Sequence, residues 1–273
     1  MGVDSYRICA RFLTVAIRYA VGRRQFMPNL DLNEGEEMQI MDYPLHQRRL
    51  LPLLAQTYAM AFSTDKFEKY HSNVVSSLNS AYERGDMKEL QKWINETKSL
   101  FIDSAAIKST LTWTAADTIT EARQACGGHG YSSYNGFGKA YDDWVVQCTW
   151  EGDNNVLAIS VGKAVITNVQ SVLEKGKKVG GTFAFLNKAK DLAGDKPVFS
   201  GKDYQDPKKV LLALETAMIR VAAAAGEELK SGASWDDLSP TRVLLSKMRC
   251  HQYLLSNFIE RTESSPGNLR PDL

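Results

Sequence analysis

The chain has 273 residues, 44% hydrophobic and 24% charged, with 33 Lys and Arg against 32 Asp and Glu for a formal net charge of +1. Such a composition gives one large folded domain or two modest ones and excludes a disordered or fibrous chain. The near-neutral balance supplies no overall field to hold nucleic acid or an anionic membrane, so neither is expected as a partner.

The periodicity is helical almost throughout. Within residues 5–26, Cys9, Phe12, Leu13, Ala16, Ile17, Tyr19 and Ala20 recur at three- and four-residue steps, which predicts a helix with one apolar face. Its arginines resemble those of a mitochondrial presequence, but the segment is rich in large core-type residues and poor in Ser. Asn29 to Glu37 is a polar break. Pro44 opens a second helix carrying Leu45, Leu50, Leu53, Leu54, Tyr58 and Phe62, with a kink expected at Pro52. A separate, more polar helix is predicted over 65–83, ending near Gly85, and Asp86 is placed to cap a long helix reaching Cys126. Five glycines between 127 and 138 predict a tight loop, and Val156 to Leu173 is helical again. Residues 174–207 mix glycine, proline and charge and read as a linker. Asp206-Pro207 and Ser239-Pro240 each pair an N-cap with proline at the first helical position, opening helices over 207–230 and 240–262. The tail from Ser264 onward has little to bury.

The expected fold is therefore all-α in two pieces: a helical bundle over 1–175, a linker over 176–206 and part of a second helical domain over 207–273. No apolar run approaches the roughly 20 residues needed to span a bilayer. The cysteines at 9, 126, 148 and 250 are too scattered for a disulfide framework, which predicts reduced thiols and an intracellular protein.

Three stretches carry candidate chemistry. Arg23-Arg24-Gln25-Phe26 follows the first apolar stripe. It is either a cationic helix end favoured by the helix dipole or a guanidinium placed for a phosphate, which the planar fork of Arg suits. The run Gln124-Ala-Cys-Gly-Gly-His-Gly-Tyr131 lets a ligand approach the backbone closely, but it lacks the Gly-Lys-[Ser/Thr] end of a phosphate loop. Cys126 and His129 have no second ligand pair, so no metal is expected. In Thr149-Trp150-Glu151-Gly152-Asp153-Asn154-Asn155 a carboxylate stands between an indole and a glycine. It could be a base for removing a proton α to a carbonyl, or a helix N-terminal acid.

The stretches Cys126-Gly-Gly-His-Gly-Tyr-Ser-Ser-Tyr-Asn-Gly-Phe-Gly-Lys-Ala-Tyr-Asp-Asp-Trp144 and Glu151-Gly-Asp-Asn154 resemble peroxisomal acyl-CoA oxidases, the fungal ones above all. Arg23 to Phe26 and Asp42-Tyr-Pro-Leu-His-Gln-Arg-Arg-Leu50 are similar to the same family, in the same order. The resemblance implies helical domains of the acyl-CoA dehydrogenase C-terminal type and a homodimeric flavoenzyme. That enzyme uses FAD to desaturate fatty acyl-CoA to trans-2-enoyl-CoA, and O₂ is reduced to H₂O₂. It implies Glu151 as the base that removes the α proton, Arg23 at the FAD pyrophosphate, Gln25 and Phe26 in the same contact strip, Gln124, Gly127 and Gly128 in the flavin-contacting turn, and Asp153 as a further FAD contact. It implies a peroxisomal location, although the C-terminal residues do not form the import tripeptide. The family's N-terminal helical and middle β domains have no counterpart here. The chain is therefore expected to be a C-terminal-half fragment, inactive alone. The alternatives are an acyl-CoA dehydrogenase that passes electrons to a carrier flavoprotein, and a non-catalytic helical dimerisation module.

Overall fold

The computed structural model describes residues 1–27, 36–194 and 199–266. The polar break, save residues 36 and 37, and the last seven residues of the tail lie outside them. The fold is all-α, as the periodicity predicts: among the described residues the only β pairing is an isolated antiparallel bridge between Arg24 and Gln39. The main helices are α1 (Gly2–Gly22), α2 (Pro44–Glu83), α3 (Met87–Ala125), α4 (Phe137–Val145), α5 (Asn154–Lys175), a single turn α6 (Ala189–Leu192), α7 (Pro207–Lys230) and α8 (Ser239–Ser264).

Two compact units emerge, and they do not divide at residue 175. The first comprises Met1–Ala61 with Leu111–Glu151, the second Phe62–Thr110 with Gly152–Leu273. Helices α2 and α3 each contribute to both. The single α2 replaces the two helices expected over 44–83: between Phe62 and Asp65 stand only Ser63 and Thr64, with no glycine or proline to stop the ladder. Pro52 withholds one N–H, and the turns on either side carry the helix through. Asp86 caps α3 as expected, its Oδ1 accepting from the backbone N–H groups of Lys88 and Glu89 at 3.1 and 3.0 Å.

In the first unit, α1 buries Cys9, Phe12, Leu13, Ala16 and Ala20 of the stripe read from the sequence, while Ile17 and Tyr19 are only partly buried. Phe12 packs on Phe137 with ring centroids 4.7 Å apart. Leu50 and Met60 of α2, Leu111, Ala115, Ile119 and Ala122 of α3, and Trp144 are also buried. The Trp144 indole N–H donates to the carbonyl of Thr112 at 3.0 Å, so the one polar atom of this large side chain is satisfied.

In the second unit α5, α7 and α8 pack on one another around Val165, Ile166, Val169, Met218, Ile219, Ala222 and Leu245. The segment read as a linker is part of this core. Tight 3₁₀ turns over Gly181–Lys188 drive Phe183 and Leu186 into it, and Ala189 of α6 follows. Glycine and lysine made the segment look loose, while its apolar residues supply the burial. Asp206 caps α7 by accepting from the Lys208 N–H at 2.8 Å, with Pro207 in the first turn. Asp206→Ala should lower the unfolding free energy by about 1 kcal/mol, visible as an earlier urea midpoint with an unchanged slope. At α8 the expected cap is displaced: Ser239 is already helical and Leu238 occupies the cap position, without a side-chain hydrogen bond.

By length and composition alone α5 meets the threshold for crossing a membrane, with a mean hydropathy of 1.5 over its best window, as the core helix of a folded domain also can. Its buried side chains, Ala158, Val161, Val165, Ile166, Val169 and Val172, instead form a stripe at helical spacing facing the core of the second unit. All four cysteines are free thiols, and Cys9, Cys126 and Cys250 are buried. Burial pushes the Cys9 thiol up to about 11 and that of Cys250 up to about 12, so both remain protonated at neutral pH.

Candidate active site

Arg23 is the C-cap of α1, its N–H donating to the Tyr19 carbonyl at 2.7 Å, and Arg24, Gln25 and Phe26 continue the chain beyond the helix. Extended backbone pairing fixes this strip. The N–H of Gln25 donates to the carbonyl of Met38, that of Met38 to Phe26, and that of Ile40 to Arg23, each at 2.9 Å. Tyr43 Oη donates to the Gln25 carbonyl at 3.1 Å, and Arg24 Nη1 to that of Glu37 at 3.1 Å. Backbone groups are thus used up in positioning, which leaves the exposed guanidinium of Arg23 on the surface and the Gln25 and Phe26 side chains turned to a cleft.

That cleft, of about 420 Å³, is lined by Gln25, Phe26, Gln124 and Gly127 from the residues singled out in the sequence. Tyr19, Ile40, Tyr43, Leu45, His46, Arg49 and Ala125 join them. All belong to the first unit. Arg23 and Gly128 adjoin lining residues along the chain without lining the cleft themselves.

Sequence reasoning passed over His46, although it lies in the quoted Asp42–Leu50 stretch. Burial and the Arg49 guanidinium, opposed by Glu121, hold its imidazole below the ordinary histidine range, which makes it neutral at pH 7. Arg49 is itself ion-paired with Glu121. The buried Nε2 of His46 has no hydrogen-bond partner.

The glycine-rich run forms two 3₁₀ turns, Gly127–Tyr131 and Ser133–Asn135, and then enters α4, so Gly138 is helical where a loop was expected. Arg123 holds the first turn. Its Nε donates to the Gly130 carbonyl at 3.0 Å and its guanidinium covers the Tyr131 ring at 4.6 Å. A Cβ on Gly130 would stand 2.0 Å from the Arg123 carbonyl oxygen, so this backbone approach requires glycine. His129 pairs with the Tyr134 hydroxyl at 3.1 Å. Among the described residues no group of three or more His, Cys, Asp and Glu side chains is placed to hold a metal.

Glu151 is the last residue of the first unit and is exposed, as are its neighbours Trp150 and Gly152. Its φ is +52° and that of Gly152 is +106°. Among the described non-glycine residues only Phe26 and Glu151 have a positive φ, and both were singled out from the sequence. Strain of this kind costs on the order of 1–3 kcal/mol and persists where the surrounding structure enforces it, typically at functional positions. Asp153 caps α5, its Oδ1 accepting from the N–H of Asn155 at 2.8 Å and of Val156 at 3.4 Å.

Lys108 was not singled out from the sequence, and Asn154 entered only within the stretches quoted around Glu151. Lys108, buried on α3, donates to the Gly152 carbonyl at 2.6 Å and to Asn154 Oδ1 at 2.8 Å. Asn154 Nδ2 in turn donates to the Ser109 carbonyl at 3.1 Å. A lysine within Ala105-Ala106-Ile107-Lys108-Ser109, where small and apolar residues predict burial, was the available signal.

The chain belongs to the acyl-CoA oxidase family: residues 1–166 match the model of the acyl-CoA oxidase C-alpha1 domain, and residues 206–273 match an acyl-CoA oxidase model. It is 51% identical over 268 residues to an acyl-coenzyme A oxidase of Debaryomyces hansenii, covering 97% of this chain and 38% of that one. To acyl-coenzyme A oxidase 2 of Candida tropicalis it is 52% identical, covering 96% and 36%. The crystal structure of acyl-CoA oxidase3 from Yarrowia lipolytica superposes with a TM-score of 0.87 at 41% identity, covering all of this chain and 40% of the other. The chain thus spans about two fifths of the length of these relatives.

Proposed function

We propose that this chain supplies the catalytic base and one wall of the FAD site in an acyl-CoA oxidase. The reading rests above all on the coincidence of backbone strain with the two key stretches, at Phe26 and Glu151. The residues present fit the cofactor. The cleft offers an unpartnered buried imidazole nitrogen on His46, amides on Gln25 and Gln124, an aromatic face on Phe26 and a bare backbone at Gly127, with the cationic Arg23 adjoining. Arg23 would meet the pyrophosphate, which its fork of donors suits. Gln25, Phe26, Gln124, Gly127 and Gly128 would hold the remaining polar and planar parts, and Asp153 would add a contact in addition to its capping bonds. When bound there, FAD would supply the hydride acceptor and, with O₂ as the final oxidant, the route to H₂O₂.

Glu151 does the proton chemistry. Its carboxylate would accept an α proton of the acyl thioester as the electrons of that α C–H bond form the 2,3 double bond and a hydride leaves the β carbon. The substrate thereby loses one proton and one hydride, which with O₂ account for the peroxide. The trans-2-enoyl-CoA product, the homodimer and the peroxisomal location are parts of the same proposal.

Glu151→Gln in the full-length enzyme tests it. The amide keeps the shape but cannot accept a proton, so desaturation should fall by about 10²–10⁴-fold or more while FAD content is unchanged. Near-normal turnover would remove Glu151 from the role. Peroxide release with a long-chain acyl-CoA separates an oxidase from a dehydrogenase, which would reduce a carrier flavoprotein and release none.

A further inference from the structure

We infer that Lys108 is a positioning residue for the base: by holding the Gly152 carbonyl and the Asn154 side chain, it sets where the Glu151 carboxylate stands. The inference rests on the reading of Glu151 as the base.

Lys108 is 8% exposed, and a buried ammonium needs oxygen acceptors to offset its lost hydration. It finds them at 2.6 Å in the carbonyl of the residue directly after Glu151 and at 2.8 Å in the side chain of Asn154. Packing alone would be served better by an apolar side chain at this point of α3, flanked by Ala105, Ala106 and Ile107. The charge is therefore retained for what it grips. Asn154 extends the grip, because its Nδ2 donates to the Ser109 carbonyl, so consecutive residues of one long helix hold both Gly152 and Asn154.

The turn needs such a hold. Glu151 at φ +52° and Gly152 at +106° lie in the left-handed region, which the glutamate would leave if released. Hydrogen bonds from an ammonium are roughly twice as strong as neutral ones, which suits Lys108 to the task. Proton abstraction demands close alignment, and a shift of about 1 Å in a reacting group costs on the order of 10²-fold in rate. A residue that touches neither substrate nor flavin can thus govern the rate through Gly152.

The test is Lys108→Met in the full-length, FAD-loaded enzyme, beside Lys108→Arg and Glu151→Gln. The limiting rate of flavin reduction by acyl-CoA, counted per bound flavin, should fall at least about tenfold in Lys108→Met, with FAD content and acyl-CoA affinity within about twofold of the parent. Lys108→Arg, which keeps the charge and the donors, should recover most of the rate. Hydrogen exchange should quicken at the amides of residues 152–156 in Lys108→Met and stay unchanged along the neighbouring turns of α3. Should the methionine variant not fold, Lys108→Gln carries the same measurements. Loss of flavin or yield with an unchanged rate per bound flavin would make Lys108 a merely structural residue and overturn the inference. An inert Glu151→Gln beside a fully active Lys108→Met would also overturn it, while leaving the base in place. Normal flavin reduction in Glu151→Gln would overturn the base reading and the inference together.

Discussion

Arg249→Met should lower the unfolding free energy by about 3–5 kcal/mol, because it strands a buried carboxylate. Arg249 is 1% exposed and Asp103 2% exposed, with Nη2 to Oδ1 at 2.6 Å. The guanidinium lies over the Phe183 ring at 4.6 Å and the Tyr253 ring at 5.4 Å. Its Nη1 donates to Gln252, whose own Nε2 donates at 3.1 Å to the buried Glu215, and Lys188 pairs with the other Glu215 oxygen at 3.1 Å. Thr182 donates to the second Asp103 oxygen. One charge network therefore joins α3, the 181–188 turns, α7 and α8. Without Arg249, Asp103 keeps only a hydroxyl. Adding Asp103→Leu to Arg249→Met should restore much of the loss, because replacing a whole buried pair by apolar residues is often neutral. A single variant within about 1 kcal/mol of the parent in urea unfolding would mean that the pair behaves like an exposed one.

Gly162→Ala should destabilise the second unit by about 3 kcal/mol or more, at the upper end of overpacking costs. A Cβ at Gly162 of α5 would lie 2.2 Å from the Arg242 carbonyl oxygen and 2.4 Å from its Cα, on α8. These are backbone atoms that cannot rotate aside, so the helices themselves must part. The gain in helix propensity from glycine to alanine, about 1 kcal/mol, is too small to compensate. The contact also carries Arg242, whose Nε donates to the Ile159 carbonyl at 2.9 Å and Nη1 to that of Trp235 at 2.9 Å. A melting temperature equal to the parent's would show that α5 and α8 do not approach this closely.

Local chemistry made some elements readable in advance. Asp86 and Asp206 cap where a short acidic side chain precedes an apolar repeat, and Pro207 sits where its missing N–H costs nothing. The same local view failed where a partner is remote. Continuity of α2 through Phe62–Asp65 depends on the absence of a stop signal, which is a weaker mark than a stop. Phe183 and Leu186 looked like occasional apolar residues in a charged linker, and only the cavity they fill reveals their role. In the proposed site, Arg23, Gln25, Phe26 and Gln124 were named through resemblance, and Gln25, Phe26 and Gln124 line one cleft. His46 was not singled out, because the orphaned nitrogen that marks it depends on packing. Lys108 lies 44 residues from Gly152, and Arg249 lies 146 from Asp103, so neither pairing leaves a trace in spacing.

The treatment of sulfur bears on the proposed chemistry in another way. An oxidase exposes itself to the peroxide it releases, and peroxide attacks thiolates far faster than thiols, driving cysteine toward sulfenic and then irreversible acids. Burial keeps Cys9 and Cys250 protonated well beyond neutral pH and raises Cys126 in the same direction, beside the glycine-rich turn. Three of the four sulfurs are thus shielded both from contact with the oxidant and from the ionisation that would make them react. Cys148, three residues before Glu151 and only partly buried, is the position where oxidative wear during turnover should first be found.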